Sequence, residues 1–365
     1  MLSSIKDIKN LISNSKINKI LIISGKNSFY KTGADKYFSE LLKKYITYLY
    51  LKKEKLPEFK ELKKIIKIKE NFKPDLIIAV GGGCAMDLAK ISSVFELSSD
   101  FKSRIINSEI SKKKKTKLLA IPTTAGSGAE VTSNAVIYIN NLKYSVENDK
   151  IKPDYFCLLP ELLLSSTKQL DATAGFDAVS QAVESLFSRK SNSQSILFAK
   201  KALKILLNNE KFFSEKKSLF NAHKMALGAN LSGKAINISK TIAPHALSYS
   251  FTTMYGIPHG HAVSLSFNKF LKFNFFNQAE ATCDYDLKKR YDVLFKITNT
   301  KNIQDLDFYF KNFKKKLRLE QDFIKLGINL NRHSSKIFSQ VNEQRLKNNP
   351  IKLLKSDISN IFKNY

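Results

Sequence analysis

The sequence predicts an α/β domain with a parallel sheet over residues 1–163, followed by an all-helical domain over residues 164–365. Three observations support this prediction. The chain has 365 residues, of which 43% are hydrophobic, so it is long enough for two domains with buried cores. Short β-branched runs alternate with amphipathic stretches up to about residue 160. Beyond Leu162 these runs stop, and apolar residues recur at helical spacing.

The predicted elements follow from two periodicities. In the first domain the predicted strands are, in order, KILIIS, YITYLYL, DLIIAV, KLLAIP and DYFCLLP, with helical segments between several of them. In the second domain, apolar residues at i, i+3 and i+4 predict helices in SILFAKKALKILL, LFNAHKMALGANLSGKAINI and DFYFKNFKKKLRLEQDF. The change between the two patterns falls near PELLLSSTKQLD, and no internal repeat is evident.

The charge of the chain is strongly positive. Sixty-one Lys and Arg residues against 32 Asp and Glu give a formal net charge of +29, which by itself suggests nucleic-acid binding. However, only six of the basic residues are Arg, and the lysines are scattered among Ile, Asn, Phe and Ser instead of forming one stripe. A compositional bias toward Lys, Ile and Asn is therefore the preferred interpretation, and no nucleic-acid partner is expected.

Cysteine usage and hydropathy indicate the compartment. The three cysteines are far apart and odd in number, so they predict neither a disulfide framework nor a CxxC metal site. The N-terminal segment MLSSIKDIKNLIS carries charges where a signal peptide would be apolar, and no run approaches the length of a membrane span. We therefore expect a cytoplasmic protein without membrane association.

A glycine run follows the third predicted strand, in DLIIAVGGGCAMDLAK. Gly81, Gly82 and Gly83 lead into a helix predicted from about Ala85. In open parallel sheets ligands bind beyond the carboxyl ends of the strands, and glycines let an anion approach the N–H groups at a helix start. The run lacks GxGxxG spacing, and glycine turns between strand and helix are common. It therefore indicates either a pyrophosphate site or an ordinary turn.

A second polar segment, IPTTAGSGAEVTSNAVI, follows the fourth predicted strand. Thr123, Thr124, Ser127 and Thr132 offer hydroxyl groups, and Asn134 offers an amide. One such loop is most simply a strand-to-helix connection capped by Thr and Ser. Two such loops at neighbouring strand ends are typical of the opposite walls of one nucleotide cleft.

Candidate metal ligands occur in the second domain. Asp177 and Gln181, in GFDAVSQAVES, share one helix face at i and i+4. His245 lies in the helical stretch APHALSY, and His259 follows a Gly-Ile-Pro break. A carboxylate and two imidazoles suit a divalent transition metal. The alternative is that His245 packs in the core and His259 stabilises a loop.

Together these motifs resemble the iron-containing (group III) alcohol dehydrogenase family, relatives of glycerol dehydrogenase and dehydroquinate synthase. The segments GGGCAMDLAK, PTTAGSGAEVT, AGFDAVSQAVES, APHALSY and PHGHAV have the family's order and spacing and extend over nearly the whole chain. The resemblance implies the dehydroquinate synthase-like fold with an NAD(P)-binding first domain. It also implies Fe(II) or Zn(II) bound by an Asp, a His four residues later and two further His.

Carried onto this chain, the resemblance implies the metal ligands Asp177, Gln181, His245 and His259. Gln181 stands where the family usually has His. A Gln carbonyl oxygen is neutral, as imidazole is, but it is a poorer donor to Fe or Zn, so metal affinity should fall.

Two further residues are candidates for catalysis. Tyr249 replaces an additional His of the family, and its hydroxyl can hydrogen-bond substrate or relay a proton. His261 is an alternative ligand or proton donor, although on a helix it would point away from His259. The cofactor ribose is a third possible route for the proton.

The cofactor is expected to bind in the glycine run, the Thr-rich loop and the segment after it. The residues that the resemblance implies for NAD(P) binding are Gly81, Gly82, Gly83, Cys84, Asp87, Thr123, Thr124, Ser127, Thr132, Asn134 and Lys143. The second strand ends in YLYLKKEK, without the carboxylate that commonly binds the ribose 2′-OH of NAD. Lys52 and Lys53 suit a 2′-phosphate, which favours NADPH over NADH.

Other segments resemble the phosphonoacetaldehyde reductase branch of the family, namely SGKAINISKTIAPHALSYSFT, YGIPHGHAVSL and VNEQRLKNNP. Lys234, Asn237 and Lys240 stand where other members carry apolar or small residues, and Arg345 lies in the last segment. Such side chains suit a dianionic phosphonate, which guanidinium binds bidentately. A chain this rich in lysine also places some lysines near any site by chance.

The resemblance implies metal-dependent, NAD(P)H-linked reduction of a small aldehyde to an alcohol, with phosphonoacetaldehyde and 2-hydroxyethylphosphonate as the favoured pair. The alternatives are a general short-chain alcohol or diol dehydrogenase, a non-redox lyase or cyclase like dehydroquinate synthase, and a basic binding protein with a degenerate site. Family members commonly form dimers, so a homodimer is expected.

Overall fold

The computed structural model describes residues 2–110, 116–140, 142–209, 211–214, 217–341 and 343–364. Within them, the chain forms two compact units. The first comprises Met1–Thr124, Gly128–Ser166 and Ser218–Ala226, and the second comprises Ala125–Ser127, Thr167–Lys217 and Leu227–Tyr365.

The first unit contains a five-stranded sheet of order β2-β1-β3-β4-β7, in which all neighbouring strands are parallel. A separate antiparallel pair, β5 and β6, lies between β4 and β7 in the chain. The strands are β1 Lys19–Gly25, β2 Ile46–Lys52, β3 Leu76–Gly81, β4 Lys117–Pro122, β5 Asn134–Ile139, β6 Leu142–Glu147 and β7 Tyr155–Phe156.

Helices cover both faces of this sheet because its inner strands are apolar on both sides. Leu21 and Ile23 of β1 belong to one core cluster, and Ile20 and Ile22 belong to another. Such continuous apolar runs are typical of parallel strands buried on both faces. The helices of this part of the chain are α1 Ile5–Asn14, α2 Lys26–Tyr30, α3 Ala34–Tyr37, α4 Ser39–Lys44, α5 Phe59–Phe72, α6 Gly83–Val94 and α7 Phe101–Ile106.

From Lys168 onward the regular elements of the described residues are helices. In α8 nearly every residue from Asp171 to Phe187 is buried, and Thr167 caps its start by accepting a hydrogen bond from the Leu170 N–H. The helices are α8 Lys168–Phe187, α9 Ser193–Leu207, α10 Lys211–Ser214, α11 Leu219–Ser239, α12 Ala243–Tyr255, α13 His259–Phe276, α14 Leu287–Thr298, α15 Ile303–Lys316, α16 Leu330–Ser339, α17 Glu343–Leu346 and α18 Lys355–Asn364. Short 3₁₀ helices occur at Ala129–Val131, Asp149–Ile151, Pro160–Leu163 and Gln278–Glu280.

The predicted fold class is confirmed: a parallel sheet precedes a helical region. The first four predicted strands match β1 to β4 closely, whereas the fifth is reduced to the two residues of β7. The hairpin formed by β5 and β6 was not predicted. The domain boundary between residues 163 and 164 stays a prediction. Among the described residues, no helix combines the length and apolar character needed to cross a membrane.

Candidate functional site

The carboxyl ends of four strands lie along one edge of the parallel sheet. Gly25 at the end of β1 is in register with Lys52 at the end of β2. Gly81 at the end of β3 is in register with Pro122 at the end of β4. The glycine run, the Thr-rich loop and the lysines after β2 therefore begin at the same edge, where parallel α/β sheets bind ligands.

The glycine run forms a tight turn into α6. Gly81 has a φ of 155°, and a Cβ there would lie 2.9 Å from the Cβ of Ala85. Gly82 caps α6 without any side-chain hydrogen bond, and a Cβ there would lie 3.3 Å from Oγ1 of Thr124. The start of α6 is therefore lined by backbone at Gly81, Gly82 and Gly83, as a phosphate-binding turn requires.

The charges of two lysines affect the pKa of Cys84, which lies in the first turn of α6. Burial and the charge of Asp87 raise the pKa of the Cys84 thiol, and the charges of Lys52 and Lys143 oppose this rise. These two cations are thus close enough to α6 to act on its first turn. Together with the positive end of the helix, they favour an anion at this edge.

Several other predicted cofactor residues contact a buried lysine of α6. Lys90 is fully buried, and its Nζ donates to Oγ1 of Thr132 at 2.8 Å and to the carbonyl of Asn134 at 3.1 Å. Burial lowers the pKa of Lys90 to about 8, although the charges of Asp87 and Glu130 oppose the shift. Burial raises the pKa of Asp87 to about 6. Through these contacts Lys90 connects α6 to β5, so it has a structural role inside the first unit.

The remaining predicted cofactor residues lie in the Thr-rich loop. The backbone N–H of Thr123 donates to the carbonyl of Gly81 at 3.1 Å, which ties the loop to the glycine turn. Thr123 is buried, whereas Thr124 and Ser127 are partly exposed. Two partly exposed hydroxyls are thus available in this loop, and the binding role of all these residues stays a prediction.

The structure brings together three of the predicted metal ligands. Asp177 on α8, His245 on α12 and His259 at the start of α13 each offer a ligand atom, and these atoms all lie within 4.8 Å of one another. Nε2 of His245 lies 3.1 Å from Oδ1 of Asp177, and Nε2 of His259 lies 3.9 Å from the same oxygen. His245 and Asp177 are buried, whereas the His259 side chain is 38% exposed. The cluster is thus buried on one side and open on the other.

A glycine allows α13 to lie against α8. A Cβ on Gly260 would lie 1.9 Å from the carbonyl oxygen of Thr173 and 3.0 Å from the Cβ of Asp177. The first turn of α13 therefore has no room for any side chain at this position. This close approach places His259, the preceding residue, beside Asp177.

Glu184 orients His245 and was missed in the sequence analysis. Its Oε1 lies 2.6 Å from Nδ1 of His245, and its Oε2 accepts a hydrogen bond from the Ile242 N–H at 2.7 Å. Burial would lower the pKa of His245, but the charge of Glu184 and hydrogen bonds to Asp177 and Glu184 raise it to about 9. The available signal was spacing, since Glu184 follows Asp177 by seven residues on the same helix face.

Gln181 lies one turn after Asp177 and contacts it. Burial would raise the pKa of Asp177, but hydrogen bonds from His245 and the Gln181 amide and the charges of His259 and His245 lower it. Gln181 is 4% exposed, and Oγ of Ser232 lies 3.4 Å from its Oε1. Gln181 is therefore buried beside the cluster, and its predicted role as a metal ligand stays a prediction.

On its exposed side the cluster continues into an aromatic and cationic stack. The Tyr249 ring stacks on His259 with centroids 5.8 Å apart and planes at 11°. The guanidinium carbon of Arg345 lies 5.5 Å from the Tyr249 centroid, and Nη1 of Arg345 donates to Oγ1 of Thr241. The positive charge of Arg345 therefore lies beside Tyr249, which stacks on the candidate metal ligand His259.

The other predicted residues lie on α11, directly after it, and on α13. Lys234 and Asn237 are partly exposed on α11, and Lys240 directly precedes Thr241 with a φ of 60°. His261 is buried, and its Nε2 donates to the backbone carbonyl of Glu320 at 2.6 Å. His261 is outside the group of ligand atoms around Asp177. The roles predicted for these four residues stay predictions.

Comparisons with known proteins find dehydrogenases and reductases that are similar to this chain. The 4-hydroxybutyrate dehydrogenase of Clostridium kluyveri is 31% identical over 201 residues, which are 54% of this chain and 54% of that protein. The phosphonoacetaldehyde reductase of Streptomyces viridochromogenes is 29% identical over 212 residues, which are 55% of this chain and 53% of that protein. The matches thus span about half the length of these curated relatives.

A solved structure shares the fold over the full chain. The sulfoacetaldehyde reductase of Bifidobacterium kashiwanohense, in complex with NAD⁺, superposes with a TM-score of 0.87. It covers 100% of this chain and 95% of its own, at 20% identity, which establishes the fold alone.

Two family models match consecutive parts of the chain. The model for iron-containing alcohol dehydrogenase matches residues 2–160, and the model for the C-terminal part of the Fe-containing alcohol dehydrogenase family matches residues 171–365. Because the second match alone covers more than half of the sequence, the chain belongs to the iron-containing alcohol dehydrogenase family.

Proposed function

We propose that this chain reduces phosphonoacetaldehyde to 2-hydroxyethylphosphonate, with a divalent metal at the Asp177–His245–His259 cluster and NADPH as the reductant. The observation that carries this proposal is the stack of Arg345 on Tyr249 and of Tyr249 on His259. It combines a candidate metal ligand and an anion-binding guanidinium within one short row of side chains. An aldehyde with a phosphonate on the neighbouring carbon matches that combination.

The donor set of the cluster fits Fe(II) or Zn(II). One carboxylate and two imidazoles are common ligands of both metals, and catalytic zinc sites typically have three protein ligands. Glu184 supports this assignment, because metal-ligating His residues usually donate their second ring N–H to a carboxylate or carbonyl. Asp177 is held in its ionised form, which is the form that coordinates metal.

The sheet edge of the first unit fits a dinucleotide. The glycine turn and the start of α6 would hold the pyrophosphate, and the hydroxyl of Thr124 is available to the same ligand. Lys52 at the end of β2 would bind the 2′-phosphate of NADPH, since no carboxylate ends that strand.

In the proposed reaction, the metal and NADPH have different roles from the side chains of the protein. When bound, the metal supplies Lewis-acid polarisation of the aldehyde oxygen and NADPH supplies the hydride. Glu184 orients His245, and Arg345 binds the phosphonate and so fixes the aldehyde near Tyr249. The Tyr249 hydroxyl then donates the proton that completes the alcohol. His261 is a weaker candidate for this step because its Nε2 already donates to Glu320.

Lys234, Asn237 and Lys240 complete the proposed phosphonate contacts, since Lys240 adjoins Thr241, the partner of Arg345. The proposal also includes a homodimer in the cytoplasm.

The test compares kcat/KM for phosphonoacetaldehyde and propanal in the wild-type chain and in Arg345→Met. Loss of a charge-assisted hydrogen bond should lower kcat/KM for phosphonoacetaldehyde by about 10- to 100-fold. The value for propanal should stay unchanged. The matched control is Arg332→Met, because Arg332 is exposed on α16. Equal wild-type kcat/KM values for the two aldehydes would refute phosphonate recognition.

A second candidate is a general short-chain alcohol or diol dehydrogenase. The donor cluster and the sheet edge favour it, because neither requires Arg345. It predicts equal use of propanal and no effect of Arg345→Met. A lyase like dehydroquinate synthase is separated from both by net consumption of NADPH with an aldehyde, because its use of the nicotinamide is transient.

A further inference from the structure

We propose that Thr241 is a positioning residue for Arg345: its hydroxyl holds the guanidinium over Tyr249, and the preference for an anionic aldehyde depends on that hydroxyl. This inference rests on the phosphonate contact of the proposed function. Nη1 of Arg345 donates to Oγ1 of Thr241, and the guanidinium carbon lies 5.5 Å from the centroid of the Tyr249 ring. Arg345 thus has both a hydrogen-bond acceptor and an aromatic ring as partners.

The peptide that joins Thr241 to Ile242 is held by two side chains. The Thr241 carbonyl accepts a hydrogen bond from Nδ2 of Asn348 at 3.1 Å, and the Ile242 N–H donates to Oε2 of Glu184 at 2.7 Å. Thr241 is fully buried, and Asn348 and Glu184 are buried as well, so water does not compete for these bonds. Because both polar groups of one peptide are bonded, the Thr241 backbone keeps a single orientation.

The two side chains that hold this peptide also contact the proposed site. Oε1 of Glu184 lies 2.6 Å from Nδ1 of His245. Asn348 follows Arg345 by three residues, and its backbone N–H donates to the Arg345 carbonyl at 3.1 Å. Through Glu184 and Asn348, Thr241 is therefore connected both to a candidate metal ligand and to the backbone of Arg345.

The hydroxyl of Thr241 restricts a flexible side chain before the aldehyde binds. An arginine side chain loses rotamer freedom when it binds an anion, and this loss weakens binding unless the side chain is already ordered. A guanidinium carries five N–H donors, so Arg345 can bond Thr241 and a phosphonate at the same time. An uncharged aldehyde makes no use of the guanidinium. Loss of the Thr241 hydroxyl should therefore weaken the binding of anionic aldehydes only.

The test compares Thr241→Val, which removes the hydroxyl but keeps the side-chain size, with Thr241→Ser, which keeps the hydroxyl. In Thr241→Val the KM for phosphonoacetaldehyde should rise by about 5- to 10-fold with kcat unchanged. In Thr241→Ser it should stay within about twofold of the wild-type value. The KM for propanal should be unchanged in both variants. Thr241→Ala removes the same hydroxyl with a smaller side chain and should reproduce the loss, so the test does not depend on the folding of one variant.

Thr298→Val is the matched control. Thr298 on α14 is also buried, and its hydroxyl donates to the backbone carbonyl of Leu294 at 2.9 Å. This substitution removes a comparable buried hydroxyl outside the proposed site, so both KM values should equal those of the wild-type chain.

A double-mutant cycle separates positioning from packing. If Thr241 acts through Arg345, adding Thr241→Val to Arg345→Met should cause no further rise in the KM for phosphonoacetaldehyde. A further rise, or an equal loss for propanal in Thr241→Val, would show a merely structural role and overturn this inference. An unchanged KM in Thr241→Val beside a raised KM in Arg345→Met would overturn this inference alone. An unchanged KM in Arg345→Met would refute the proposed phosphonate contact as well.

Discussion

The two candidate sites of this chain are built in different ways. At the sheet edge of the first unit, the glycine turn is a continuous segment, and its proposed role in phosphate binding depends on backbone N–H groups. In the second unit, the metal cluster takes one side chain each from α8, α12 and α13. The sheet-edge site therefore depends on local backbone geometry, whereas the metal cluster depends on how helices pack.

This difference predicts how substitutions affect each site. At the sheet edge, a Cβ added at Gly82 meets the side chain of Thr124, which can rotate away. A side chain added in the metal cluster meets backbone, as at Gly260. Substitutions in the second unit should thus have larger effects, and those effects should extend to residues that never touch the metal.

The largest effect is expected from Gly260→Ala. Because its Cβ would lie 1.9 Å from a backbone carbonyl, α13 must move away from α8 and carry His259 with it. We expect zinc binding to be lost and the free energy of unfolding to fall by about 3 kcal/mol or more. Calorimetry and denaturant unfolding measure both quantities.

Gly25→Ala is the comparison at the sheet edge. Its Cβ would make an ordinary contact of 3.4 Å with Oγ of Ser28, so unfolding should change by less than about 1 kcal/mol. If both substitutions have the same effect on unfolding, the contrast between the two sites is wrong.

An intermediate effect is expected from Glu184, which touches the cluster only through His245. Glu184→Gln keeps an acceptor for His245 but removes the charge and one acceptor for the Ile242 N–H. Zinc affinity should fall by about 10-fold, and by up to about 100-fold for Glu184→Leu. Glu280→Gln, at an exposed position, is the control. Unchanged zinc affinity in Glu184→Leu would contradict the orienting role.

A smaller effect is expected from two buried lysines, Lys90 in the first unit and Lys314 in the second. Lys90 has Asp87 and Thr132 as partners, whereas Lys314 on α15 donates to the carbonyl of Ser264 at 3.1 Å. Burial lowers the pKa of Lys314 to about 7, although the charge of Asp307 opposes this shift. Burial of Lys314 thus costs stability at neutral pH.

The sign of the pH dependence follows from this shift. Between about pH 7 and 10.5 the unfolded chain binds a proton at Lys314 that the folded chain does not, so stability rises with pH. From pH 7 to 9 the free energy of unfolding should gain about 1–2 kcal/mol from this group. Lys314→Met should remove the gain and Lys315→Met, at an exposed position, should retain it. An identical pH dependence in all three chains would rule out the buried titration.

Much of the fold could be predicted because it is encoded in local patterns. The runs that form β1, β3 and β4 are apolar on both faces and end in glycine or proline, so their positions and parallel arrangement followed from the sequence. The family resemblance is likewise confirmed. The β5–β6 hairpin was missed because its first strand lies within a segment that was examined only for its polar side chains. The run of β-branched and aromatic residues in NAVIYI was the strand signal available in the sequence.

The site was less predictable because its geometry is tertiary. Spacing identified Asp177 and Gln181 as neighbours on one helix, but spacing alone did not place His245 and His259 beside Asp177. Glu184 was overlooked because its role depends on its contact with His245 on another helix, and the sequence does not show that contact. Likewise, the contact between Arg345 and Tyr249 joins residues far apart in the chain, so only the structure reveals the stack.

The metal content of the chain after dialysis against Zn(II) or Fe(II) decides whether Asp177, His245 and His259 form a metal centre. We expect about one metal per wild-type chain, and the same for Asp292→Ala at an exposed position of α14. We expect almost none for Asp177→Ala, because the carboxylate that contacts both imidazoles is then missing. Equal metal content in Asp177→Ala and the wild-type chain would contradict the assignment of this cluster as the metal centre.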